Sequence, residues 1–150
     1  MACVSLDIAI TSIDDRLRGY SQAIRDHDMP VSKDLLIRIK KRDPGALDLH
    51  DSLKSLADSH HPPDGFLVTT DGLALRTLSV LESFKRKINE HFKIARFGSD
   101  SEGRSTGMIC IEQPHVEIGI EAATLLKKRI ESPSPAYAPR KIVLKPVLKV

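Results

Sequence analysis

Short apolar runs along this chain alternate with longer stretches in which apolar residues recur every three to four positions, the pattern of strands interleaved with helices. Val4, Leu6, Ile8 and Ile10 alternate with Ser5, Asp7 and Ala9, which predicts a first strand. Ser12 is expected to open a helix with Asp14 and Asp15 in its first turn, where the helix dipole favours negative charge. Ile13, Leu17, Tyr20 and Ile24 run along one face of that helix, and Met29-Pro30 ends it. Residues 35–39 read as a second strand and Asp43-Pro44-Gly45 as a turn. Leu49, Leu53 and Leu56 mark the inner face of a second helix, stopped by His61-Pro62-Pro63-Asp64-Gly65.

The second half repeats the alternation. Residues 66–69 predict a short buried strand, and residues 73–87 a third helix with Ala74, Leu78, Leu81 and Phe84 as its apolar stripe. Strands follow at 92–97 and 108–111, separated by a Gly/Ser-rich loop over 98–107. A fourth helix over 116–130 is apolar at Val116, Ile120 and Ala123, widened by Ile118, Ala122 and Leu125. Residues 132–139 form a proline-rich connector. The closing segment 142–150 returns as a strand interrupted by Pro146, which places it at a sheet edge. The expected fold class is therefore α/β: a mostly parallel sheet flanked by helices and joined by right-handed crossovers.

Composition narrows the function classes. A chain of 150 residues is one domain or a lobe of a larger one. Its 41% hydrophobic content with 4% aromatics and no tryptophan calls for an aliphatic core. No apolar run approaches the roughly 20 residues of a membrane span, and the N-terminus lacks a secretion-signal pattern. Cys3 and Cys110 make no disulfide framework, so a reducing cytoplasm is the expected compartment. The net charge of +3 is mild. Of the basic runs Lys40-Lys41-Arg42, Lys85-Arg86-Lys87 and Lys127-Lys128-Arg129, the last two fall at expected helix ends. Without a nucleic-acid-binding motif, this polypeptide alone is not expected to read DNA.

Motifs for catalysis are missing. Gly98-Ser99-Asp100-Ser101 lacks the closing glycine of a nucleophile elbow, and no histidine is spaced as a partner. His60 and His61 are adjacent and precede a proline, which suits a turn better than a metal site. The segment 9–13 after the first strand has no glycine, which argues against a phosphate loop. No enzyme activity, metal or cofactor is expected. What remains is a set of polar residues at strand ends and in the first helix: Arg16, Thr70, Asp71, Asp100 and Gln113. Strand ends beside helix starts are where open α/β sheets bind small ligands. A planar guanidinium and carboxylates make the paired hydrogen bonds that a polyol or a purine offers. Asp71 could equally cap the third helix, and Arg16 could pair with Asp14, Asp15 or Asp100.

The same residues resemble the effector-binding domains of the lactose-repressor/galactose-repressor family of bacterial transcription regulators, whose fold is shared with periplasmic sugar-binding proteins. "DRLRGYSQAI" is similar to the family's Arg-x-x-Gly-aromatic motif, with Arg16 and Gly19 at the arginine and glycine. "PDGFLVTTDGLALRTLSVL" resembles the segment around its Asn-Asp pair, with Thr70 at the asparagine and Asp71 at the aspartate. "KIARFGSD" resembles the strand ending in Gly-aromatic-Asp-Asp, with Asp100 at the ligand-contacting aspartate. "ICIEQPHVEIGIEAATLLKKRI" resembles its Gln-Pro segment, with Gln113 at the glutamine, and "KIVLKPVLKV" its closing strand.

The resemblance implies a periplasmic-binding-protein-like lobe, residues 1–150 being the C-terminal lobe of a two-lobed effector domain without its N-terminal lobe or DNA-binding headpiece. It further implies a sugar or sugar-phosphate effector contacted by Arg16, Thr70, Asp100 and Gln113, and a homodimer formed through the third helix at Leu78 and Leu81. DNA would be reached only through the absent headpiece, in the cytoplasm and with no membrane contact. The fourth helix would expose an apolar stripe for want of its partner lobe. Thr70 departs from the family's amide, Arg76 from a glycine, and Ser99 and Ser101 from an aromatic and a second aspartate. A lobe of a periplasmic transport receptor shares the fold and is the alternative.

Overall fold

The computed structural model describes residues 1–30, 32–40, 47–98, 107–131 and 140–150. It contains strands β1 (Ala2–Leu6), β2 (Leu36–Ile39), β3 (Gly65–Val68), β4 (Lys93–Gly98), β5 (Ile109–Glu112) and β6 (Val147–Lys149). The helices are α1 (Thr11–Asp26), α2 (Leu47–Ala57), α3 (Asp71–Ser83) and α4 (His115–Glu131), with a 3₁₀ turn at Lys33–Leu35. The six strands form one sheet in the order β2-β1-β3-β4-β5-β6. The first five are parallel, and β6 pairs antiparallel with β5. Chain order reverses between β1 and β3, the topological switch point at which this class of sheet opens a crevice.

Strand alternation divides the core. Val4, Ile37, Ile39, Phe66, Val68 and Ile94 point to the face covered by α2 and α3, where Leu49, Leu53, Leu73, Ala74, Leu78 and Leu81 close the main cluster. Cys3 and Ser5 point the other way, and α1 covers them with Ile13 and Ile24. Because β1 is flanked by strands and covered on both faces, Ala2, Cys3, Val4 and Ser5 are all buried.

Several element ends differ from the pattern in the sequence. β1 stops at Leu6, and Ile10, expected in the strand, is exposed and caps α1 in extended conformation. Ser12 therefore does not open that helix, which starts at Thr11 without a side-chain cap. α3 starts two residues earlier than the apolar stripe suggests and ends at Ser83. The closing strand is reduced to Val147–Lys149, because Pro146 has no N–H to give to a ladder. Its place at the edge is as expected. Leu78 and Leu81, assigned from sequence to a dimer face, are instead 8% and 1% exposed. They point into the core, and the leucine that α3 turns outward is Leu75.

Candidate functional site

The parallel strands β1, β3, β4 and β5 end on one edge of the sheet, and each hands its chain to a polar segment there. Arg16 lies in the second turn of α1, half-buried against the β3 end. Its Nη1 donates to the carbonyl oxygen of Thr69 at 2.6 Å. Its guanidinium carbon stands 4.5 Å from the ring centroid of Phe97, a cation–π stack on the end of β4. Partial burial lowers the Arg16 pKa from its ordinary value. Thr69 is itself fixed: its amide donates to the Val4 carbonyl at 3.1 Å and its hydroxyl to Ser5 Oγ at 3.2 Å. Three strands thus hold one guanidinium in place across the switch point.

Thr70 follows as the N-cap of α3, half-exposed, with no capping bond from its side chain. Gln113 leaves the end of β5, and its side chain lines the same groove as Arg16 and Phe97. This groove, about 650 Å³, runs over the sheet face that α1 leaves uncovered, with Leu67, Ala95 and Ile111 as its floor. A guanidinium and an amide at one end of an aliphatic floor with one aromatic ring can grip a small polar ligand that also has an apolar face. The structure brings together Arg16 and Gln113, with Thr70 adjoining through Thr69. Asp100 lies outside the described residues.

Asp71 takes an ion-pair partner from the sheet. It is the first residue of α3, and its carboxylate forms an ion pair with Arg96 of β4. Arg96 is fully buried, an arginine in the middle of a strand core. Sequence reading missed it, although its alternation with Ile94 on the inward face was a visible signal. Phe97 was read only as a strand end, and the odd-even alternation placing it opposite Arg96 was the signal for it. Neither cysteine suggests chemistry: both are buried, and burial pushes the Cys3 thiol up to about 12. Among the described residues no cluster of three or more metal-ligating side chains occurs.

The family model described as periplasmic binding protein-like domain matches residues 4–150. The chain belongs to that family. The relatives that follow are described as regulators of transcription. The arabinose metabolism transcriptional repressor of Halalkalibacterium halodurans is 27% identical over 118 residues, covering 77% of this chain and 32% of that protein. A LacI family transcription regulator from Clostridium acetobutylicum superposes with a TM-score of 0.80 at 20% identity, over 99% of this chain and 55% of that one. The transcriptional regulator CelR in complex with cellobiose superposes with a TM-score of 0.83 at 23% identity, over 99% and 45% respectively. The chain thus spans about a third of the curated relative and about half of the solved structures. No helix among the described residues is long and apolar enough to cross a membrane.

Proposed function

We propose that this chain is the C-terminal effector-binding and dimerisation lobe of a cytoplasmic transcription regulator, a sensor and not an enzyme, and that its effector is a sugar. The observation that carries the reading is the fixed Arg16 guanidinium, stacked on Phe97 at the switch point of the sheet and sharing a groove with Gln113. A guanidinium and an amide hydrogen-bond to vicinal hydroxyls, and the floor of Leu67, Ala95 and Ile111 accepts the apolar face of a sugar ring. The similarity to an arabinose metabolism repressor and to a regulator solved with cellobiose supports the same ligand class. Thr70 and Asp100 complete the proposed contact set.

In this reading a second lobe closes over the ligand, and the closure resets DNA-binding heads carried elsewhere in the protein. None of the residues of α4 is buried, and Val116, Ile120, Leu126 and Ile130 are between 59% and 72% exposed. Val147 and Leu148 of β6 are also exposed. That apolar surface is suited to packing against the second lobe. The homodimer forms through the outward face of α3, with Leu75 at its centre.

Thermal unfolding with and without arabinose tests the reading, since a ligand that binds only the folded state raises Tm. A rise that saturates with arabinose or cellobiose, and disappears in Arg16→Met and Gln113→Ala, is expected. An equal rise in the variants would remove these residues from the site.

A further inference from the structure

Arg96 stands in the middle of β4, in register with Val68 of β3 and Cys110 of β5, and is the largest of the fully buried side chains among the described residues. Burying a guanidinium takes its charge out of water, and an apolar residue of similar volume generally serves a core as well or better. The position is thus held by a residue that the core does not need. Its partner Asp71 starts α3 directly after Thr70, and the Asp71 carboxylate also lies over the end of β4. A Cβ at Gly98 would fall on that carboxylate. One ion pair thus ties the start of α3 to the middle of β4, and the same carboxylate lies over Gly98 at the end of that strand.

We propose that the Arg96–Asp71 pair is a positioning device for the ligand site. It touches no ligand; it sets Thr70 and the end of β4 in their relative places. Phe97 lies between Arg96 and Gly98 with its ring on the opposite face, under Arg16. Holding Arg96 on one side of Phe97, with the Asp71 carboxylate filling the space over Gly98 on the other, fixes the ring, and the ring orients the guanidinium. An apolar residue of similar volume at position 96, such as Met, would fill the space without fixing the direction of the α3 N-terminus. The ligand half of this inference rests on the sugar reading above.

Removing one partner strands a buried charge, so Arg96→Met alone will lose stability and is a poor test. The double variant Arg96→Met/Asp71→Asn removes both charges and is expected to unfold cooperatively near the wild-type temperature. Two readouts then decide. In the wild type the Phe97 ring current displaces the Arg16 Nε–H resonance upfield; in the double variant that displacement should collapse. Affinity for arabinose, read from amide shifts, should fall at least tenfold, about 1.4 kcal/mol. A folded double variant that keeps both the displaced resonance and wild-type affinity overturns the proposal. A wild-type chain that binds no sugar overturns the functional reading instead, and the Arg16 resonance alone then decides for or against the positioning role.

Discussion

A guanidinium carries five N–H donors, and the Thr69 carbonyl uses one of those of Arg16. The bond fixes where the fork points, and Phe97 fixes its plane. Arg16→Met should therefore cost little stability, within about 1 kcal/mol for the lost stack at a half-exposed site, while sugar binding disappears; denaturant midpoints beside a ligand titration check both. Gly98 is constrained in the opposite sense, by lack of space under the Asp71 carboxylate. Gly98→Ala should lower stability by about 1–3 kcal/mol, the range for overpacking a tight site, in the same denaturation assay. Cys3 sets a pH limit. Burial pushes its thiol up to about 12 in the folded chain, from an ordinary value of 9.0. The unfolded chain therefore releases this proton first as pH rises, and stability falls between pH about 9 and about 12. A Cys3→Ala variant should lose less stability over that interval; an identical pH profile would exclude Cys3 as the cause.

Among the elements, α3 shows how far the sequence could be read. Its stripe of Ala74, Leu78 and Leu81 was visible as a period near 3.6, and the period says that these residues share a face but not which body covers it. The structure assigns that face to the sheet, leaving Leu75 outside. Leu75→Asp should then dissociate dimers without unfolding, whereas Leu81→Ala should cost about 2–5 kcal/mol as a core truncation. Light scattering and thermal unfolding separate the two, and a Leu75→Asp chain of unchanged mass would contradict the dimer assignment. Element type and order were legible throughout, because buried strands and amphipathic helices differ in period. The ends were less so. Ile8 and Ile10 continue the alternation of β1 beyond its last ladder bond, since nothing in a period of two marks where the neighbouring strand stops. Arg16, Thr70 and Gln113 were expected as ligand contacts through motifs, whereas Phe97, which stacks on Arg16, and Arg96, which pairs with Asp71, were not singled out. A supporting residue is defined by its contacts across the sheet, which local spacing does not contain.

At the scale of the whole molecule the two sides of the sheet are unequal. α2 and α3 close one side over an aliphatic cluster, while α1 alone covers part of the other. α4 and β6 present apolar side chains outward, in a chain about half as long as the structures it superposes on. Covering a helix face of this size with a second lobe gives the stabilisation that an exposed stripe forgoes. The chain alone is accordingly expected to bind a hydrophobic dye through this stripe, and Ile120→Glu to reduce that binding; a wild type that binds no dye would show the stripe to be covered otherwise. The sheet edge is proposed as a sugar site. That proposal is tested most directly by backbone-amide NMR of the chain titrated with arabinose, cellobiose and, as a control, a non-sugar of equal polarity. Saturable shifts confined to the surroundings of Arg16, Thr70, Phe97 and Gln113, with the sugars only, are the predicted result; equal shifts with the control, or shifts located elsewhere on the sheet, would contradict it.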